Sequence, residues 1–250
     1  MPSTPPRIHN NRHWCRLIET LEPGDSAAMI SSMVHLPESL PVVLVAGGLY
    51  DEPPVTSKGF WVDTGVAPML TRRRVEVIVH DRPSEPTSWV EEADALAATI
   101  AASGHDRVAL VAGSNGCSAA LRLMLDRPEL VARTLLCWPA TAGNVVIDGL
   151  AQIIISDIHD DATALRLLAG GPLRGVSAEE LGSLTGEVVV YPSMPESQAH
   201  QRSTVTELLS LIPGVMLVGG SPEPFDDAFA DFVEGFVDLV EAFSKVMHDD

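Results

Sequence analysis

Between Arg107 and Leu136 the chain reads RVALVAGSNGCSAALRLMLDRPELVARTLL. Val108 to Val111 is an apolar run of strand character, and from Ser118 onward Ala119, Leu121, Leu123, Met124 and Leu125 have the spacing and propensity of a buried helix. A strand therefore gives way to a helix within a few residues. The connection, Ala112-Gly113-Ser114-Asn115-Gly116, sets small residues around one serine, and a turn that tight strains its central residue in a way that only small neighbours tolerate. It predicts the Ser114 hydroxyl at the carboxyl end of a strand and the positive end of a helix.

The same alternation continues on both sides. Pro41 to Ala46 (PVVLVA) is a continuous apolar run, the mark of a strand buried on both faces, and it empties into Gly47-Gly48-Leu49, where a glycine pair can expose backbone amides. Gly59 to Leu70 predicts a helix and Val75 to His80 a strand. Thr87-Ser88 followed by Glu91-Glu92 opens a helix to Ser103, with Val90, Leu96, Ala97 and Ile100 inward. Arg133 to Cys137 is a further strand. Pro139 to Gly182 then breaks the rhythm with helical pieces and an acidic cluster, predicting a small helical cap over 143–185 whose last helix starts at the capping-box pair Ser177 and Glu180. Glu187 to Tyr191 and Val215 to Gly219 return to the sheet, with a helix over Thr204 to Ile212 between them. Asp226 to Val246 predicts a long terminal helix; Phe225, Phe229, Phe232, Phe236, Val240 and Phe243, which include five of the chain's six phenylalanines, recur there at spacings of three and four and read as core packing. Ahead of all this, residues 1–12 form a polar, Pro-rich arm, and Trp14 to Leu21 and Ala27 to Leu36 predict an antiparallel lead-in pair. The pattern predicts an α/β protein with a doubly wound, mostly parallel sheet, a single domain over 1–250, and its site at the carboxyl ends of the strands.

Composition narrows the function. At 250 residues with 46% apolar content the chain can fill one α/β core. Its 34 acidic against 16 basic residues give a formal charge of −18, which repels phosphate backbones and anionic lipid surfaces; nucleic-acid and membrane partners are not expected, and a small-molecule substrate is. Arg72-Arg73-Arg74 reads as a solvated helix end. Cys15, Cys117 and Cys137 lack metal-type spacing and even pairing, as free thiols in a reducing compartment do. The first twenty residues have no apolar signal region, so the expected location is the cytoplasm.

The turn around Ser114 resembles the nucleophile elbow of the α/β-hydrolase family, G-x-S-x-G, with Ala112 in place of the first glycine. The order of elements over residues 41–246 is similar to that family. Val45-Ala46-Gly47-Gly48 resembles its H-G-G loop, and the resemblance implies an oxyanion hole from the amides of Gly48 and Asn115. Val79-His80-Asp81-Arg82-Pro83 resembles its Y-D-x-R-G turn, implying that Asp81 and Arg82 brace a loop. The family's histidine after the last strand is missing: the position reads Val218-Gly219-Gly220-Ser221-Pro222-Glu223-Pro224. A serine without a base is a poor nucleophile, so a base must come from elsewhere.

The loop after the Glu187 to Tyr191 strand, where the family keeps its acid, offers one. Glu196 and His200 stand four apart; if the next helix begins there, both project from one face and Glu196 can orient His200 as the base for Ser114. Glu223 and Asp226 are alternative carboxylates for that role, and His80 is the alternative base. After Cys137 only Thr141 and Asn144 are on offer as the acid. The remaining histidines lie in arms, turns or the tail. The run Ser156 to Asp161 reads as a solvated helix start rather than a cation site, Cys117 as packing, and no cofactor or metal is expected. Three readings follow: serine-dependent hydrolysis or acyl transfer on a small apolar ester, thioester or lactone with a non-standard base; a cofactor-free lyase, cyclase or isomerase in which His80 or His200 moves a proton; and a non-catalytic binding relative.

Overall fold

The computed structural model describes residues 39–49 and 55–245; the expected arm and lead-in strands at Trp14 to Leu21 and Ala27 to Leu36 lie outside them. The described residues form one compact unit. Six strands make a single parallel sheet in the order β2-β1-β3-β4-β5-β6: β1 (Val42–Val45), β2 (Val77–His80), β3 (Val108–Gly113), β4 (Val131–Cys137), β5 (Glu187–Tyr191) and β6 (Met216–Leu217). The central strands are aliphatic throughout because helices cover both of their faces; every residue of β1 and β3 is buried. Alternate side chains feed two cores. Val43, Val45, Leu110 and Ala112 face α2 (Trp89–Ser103) and α3 (Gly116–Asp126), whereas Val42, Leu44, Ala109 and Val111 face α1 (Val66–Arg72) and α8 (Val233–Ser244). The chain leaves β1 for β2 on one side and returns to β3 on the other, so β1 and β3 flank the point where strand order reverses, the place where open α/β sheets bind ligands. Their register pairs Val45 with Ala112, which brings Gly47 and Ser114 off neighbouring strands at one level.

Three helices lie between β4 and β5: α4 (Val145–Ile155), α5 (Asp161–Leu168) and α6 (Ala178–Ser183). Asn144 caps α4 and Asp160 caps α5, so the acidic cluster there serves a helix start; Ser177 and Glu180 form the expected capping box on α6. α7 (Arg202–Leu211) joins β5 to β6. Among the described residues no helix is long and apolar enough to cross a membrane.

Several elements depart from the sequence reading. The helix expected over Gly59 to Leu70 is a π-helical turn, Lys58–Val62, and then α1, because Gly65 between them takes φ 87° and ends one helix before the next begins. In α2 the Ser88 cap fixes a rotation that buries Trp89 and leaves Val90 52% exposed, so Val90 is not an inward residue. The terminal helix is divided into a 3-10 turn, Asp227–Asp231, and α8. Phe229, Phe236 and Phe243, seven apart, are buried; Phe225 and Phe232 are not. Arg73 is no free helix end, since it pairs with Glu234, Asp238 and Glu241 on α8.

Candidate active site

Ser114 leaves β3 at φ 51°, one of three non-glycine residues with positive φ among those described, and its amide donates to the Cys137 carbonyl at 2.9 Å. The strain is imposed by crowding. A Cβ on Gly116 would lie 2.4 Å from the Ala46 carbonyl oxygen, and one on Gly47 would lie 2.9 Å from the Ser114 Cβ, so α3 can start directly beneath the β1 loop only with glycine there. Ala112 is fully buried within β3 and meets no such limit, which explains why it can replace the usual glycine.

The Gly47-Gly48 loop is held from behind. Arg82 donates from one terminal nitrogen to the carbonyls of Ala46, Gly47 and Gly48, and its other nitrogens form a bidentate pair with Glu92 on α2. Both side chains are essentially inaccessible to solvent. With three successive carbonyls turned toward Arg82 and Gly48 at φ 84°, this loop is fixed beside Ser114, and Gly48 and Asn115 both line the cavity at the nucleophile. Asp81, by contrast, is exposed and braces nothing in this arrangement.

The Ser114 Oγ lies 2.8 Å from His200 Nε2, and His200 Nδ1 lies 2.7 Å from Glu223 Oε1. With Nδ1–H donating to the carboxylate, Nε2 accepts from the serine hydroxyl. The loop carrying His200 is pinned on both flanks by Thr141: the Thr141 amide donates to Ala199 O at 2.7 Å, and the Gln201 amide donates to Thr141 Oγ1 at 2.9 Å. Glu223 arrives from the other side. Ser221 is fully buried and pairs with Ser193 in a parallel bridge, the Met194 amide donating to Ser221 O at 2.9 Å, which zips the loop after β6 onto the loop after β5. Ser193 and Ser197 place hydroxyls 2.7 and 2.9 Å from Glu223 Oε1. Burial alone would raise the Glu223 carboxyl, but the hydrogen bond and charge of His200, with those two hydroxyls, outweigh it and hold the group down at about 2.

Two expectations are corrected here. Glu196 does not touch His200: α7 begins only at Arg202, so residues 196–200 are loop, the helical i,i+4 relation never forms, and the Glu196 carboxylate instead accepts from the Arg202 amide at 2.7 Å, at the start of α7. His80 is not at the cavity. Its ring turns toward α2, with Nδ1 2.8 Å from Thr99 Oγ1, and it is 1% exposed; burial, with the nearby Arg82 charge, lowers it to about 4. Relative to the layout that the resemblance implies, the histidine and the carboxylate have exchanged loops, His200 following β5 and Glu223 following β6.

The cavity has two lobes of about 220 Å³ each that share Leu49, Ser114, Asn115 and Ile154. The first adds Val55, Phe60, Trp138 and Phe225, a mainly aromatic wall, along with His200 and Glu223. Phe225, read from sequence as core, is 42% exposed and stacks edge-on against Phe60 at 5.2 Å. Trp138, just past β4, takes φ 47° and donates its indole N–H to Ser221 O at 3.1 Å. The second lobe is walled by Thr141, Gln198, Arg174 and residues of α4. Trp138, Phe225, Ser193, Ser197 and Arg174 were not legible as site residues; an aromatic after an apolar strand looks like core, and loop serines carry no spacing signal.

No family model and no curated protein matches the chain. Solved structures do. An N-acyl homoserine lactone degrading enzyme, Est816, superposes with a TM-score of 0.56 at 18% identity over 83% of this chain and 94% of its own. The carboxylesterase CesB from Bacillus subtilis gives 0.56 at 16% identity over 84% and 85%. MGS-M2, an alpha/beta hydrolase enzyme from a Medee basin deep-sea metagenome library, gives 0.60 at 11% identity over 90% and 94%. The chain has the α/β-hydrolase fold.

Proposed function

We propose that this chain is a serine hydrolase of small, mostly apolar esters, thioesters or lactones, with Ser114 as nucleophile, His200 as base and Glu223 as the carboxylate that orients it. The observation that carries the reading is the continuous line from Ser114 Oγ to His200 Nε2 at 2.8 Å and from His200 Nδ1 to Glu223 Oε1 at 2.7 Å. In the reaction Ser114 Oγ bonds to the substrate carbonyl carbon as its proton passes to His200 Nε2, and the carbonyl oxygen becomes an oxyanion received by the Gly48 and Asn115 amides. The intermediate collapses, the bond to the leaving oxygen or sulfur breaks, and that atom takes the proton from His200. Water then repeats the sequence on the acyl-enzyme and releases the acid. Glu223 stays ionised and stabilises the imidazolium.

The segment 143–185 acts as the cap, since Ile147, Leu150, Ala151 and Ile154 of α4 wall the cavity over Ser114. Each lobe, at about 220 Å³, is smaller than the ~300–1,000 Å³ of a site for a whole drug-sized ligand, which favours a short group on each side of the scissile bond. The names of two fold relatives, a lactone degrading enzyme and a carboxylesterase, agree with that class. Release of p-nitrophenol from p-nitrophenyl butyrate by the wild type, and its loss in a folded Ser114→Ala variant, is the expected result. A wild type that turns over no short ester or lactone would overturn the reading.

A further inference from the structure

Arg174 belongs to neither the nucleophile, the base nor the acid, yet it lines the second lobe beside Ser114. Its side chain is 3% exposed. One terminal nitrogen donates to Asn115 Oδ1 at 2.8 Å and the other to Asp148 Oδ1 on α4 at 2.8 Å, while Nε is buried and has no hydrogen-bond partner among the described residues. A guanidinium carries five N–H donors, so a buried one that uses two in this way is left under-satisfied. Among the described residues lining the two lobes the other ionisable side chains are His200 and Glu223, which makes Arg174 the one permanent cation among them, in a chain of net charge −18. Asp148 offsets that charge from a partly exposed position on α4, at 23% exposure.

We propose that the second lobe is an anion subsite: the acyl part of the substrate ends in a carboxylate, which Arg174 receives on its unused donors. The assignment of acyl to this lobe rests on the hydrolase reading above. His200 must protonate the leaving group, and His200 lines the first, aromatic lobe, so the leaving group lies there and the acyl chain extends past Asn115 toward Arg174. Gln198 and Thr141 supply further polar groups in the same lobe, and Ile147, Leu150 and Ala151 cover the methylenes between the ester and the carboxylate. The substrate class is thus the half-ester, thioester or lactone-derived acyl group of a short dicarboxylic acid.

The test compares mono-p-nitrophenyl glutarate with p-nitrophenyl valerate, which matches its chain length without the charge. The wild type should prefer the glutarate in kcat/KM by roughly ten- to hundredfold, the range of a charge-assisted hydrogen-bonded contact. In Arg174→Gln that ratio should fall to about one, and in Arg174→Lys it should recover in part, since a lysine keeps the charge and loses the planar fork. Asp148→Asn provides a variant that leaves Arg174 in place: removing the competing carboxylate should raise the glutarate preference severalfold, whereas a merely structural bridge between α4 and Arg174 would lower both substrates together. Glutarate binding to Ser114→Ala, read by calorimetry, separates the two proposals because it needs no turnover. Hydrolysis of both esters without discrimination, or no glutarate binding by Ser114→Ala, overturns the subsite; glutarate binding that is lost in Arg174→Gln, with no turnover of either ester by the wild type, supports the subsite and overturns the hydrolase reading.

Discussion

The two halves of the site are built in opposite ways. The nucleophile's half comes from two short stretches, 46–48 and 112–116, each directly continuous with a buried strand and locked by backbone crowding and by the Arg82–Glu92 pair. The histidine's half comes from two loops that have no strand or helix of their own, held by tertiary contacts: Thr141 on both flanks of His200, the backbone bridge between Ser193 and Ser221, and the hydroxyls of Ser193 and Ser197 on Glu223. A half made from contiguous backbone is constrained to one place by the fold. A half made from tertiary contacts is free to move between loops as long as the imidazole reaches the serine, and here the histidine and the carboxylate each occupy the loop that the resemblance implies for the other.

The comparison breaks most visibly if the base's half proves dispensable. His200→Ala and Ser114→Ala should each lower kcat/KM for a short ester by about 10⁴-fold or more, and the double variant should be no worse than either, because residues acting as one unit are not additive. Next comes the choice of carboxylate. Glu223→Gln should cost about 10³- to 10⁴-fold in kcat, the order expected when an orienting carboxylate is lost and the imidazole tautomer is no longer held. Glu196→Gln should change kcat by less than about threefold and lower stability by only about 1 kcal/mol, the scale of a lost helix-start hydrogen bond. Equal losses in the two variants would remove the distinction between those carboxylates.

On the nucleophile's half, Glu92→Gln leaves the Arg82 guanidinium buried without its counter-charge. It should destabilise the protein by about 3 to 5 kcal/mol in denaturant unfolding, with kcat falling in the fraction that stays folded because the Gly47-Gly48 loop loses its brace. A change of less than about 1 kcal/mol would show that the loop is set by glycine crowding alone.

A last effect, on stability alone, concerns His80. Its folded-state value, about 4, lies below the 6.5 of a free imidazole, so the unfolded chain binds the proton first and stability falls as pH drops from about 6.5 toward 4. His80→Gln should remove about 2 kcal/mol of that acid-side loss, as measured by urea unfolding at pH 7 and pH 4.5, without moving the pH dependence of turnover. Glu223, held down at about 2, contributes stability that is complete above the ordinary carboxylate range and is lost progressively from about 4.5 down to about 2, so most of that loss falls below the pH 4.5 measurement.

What the sequence revealed follows the same division. The strand-turn-helix around Ser114, the glycine pair after β1 and the capping box of α6 were legible because each is set by neighbours in the chain. His200 is legible by elimination and by its expected edge of the sheet, and Glu223 is one of the two alternative carboxylates the sequence offers it, but the preference for Glu196 rests on a helix at 196–200. The start of α7 at Arg202 defeats that premise, and no local feature of Pro222-Glu223-Pro224 announces that a buried Ser221 will zip Glu223 against Ser193. The rotation of α2 by Ser88 and the division of the Phe-bearing segment are failures of the same kind: periodicity gives a helix its stripe, whereas the cap and the turn before it decide which residues face inward.

The central claim is that His200, from the loop after β5, activates Ser114. Intact-mass spectrometry after treatment with a fluorophosphonate tests it most directly, since the probe reacts only with a serine whose proton is taken up by a base. The account predicts one adduct on the wild type, mapped to Ser114 and absent from both Ser114→Ala and His200→Ala. Labelling of His200→Ala at the wild-type rate, or an adduct on any other serine in the wild type, would contradict it.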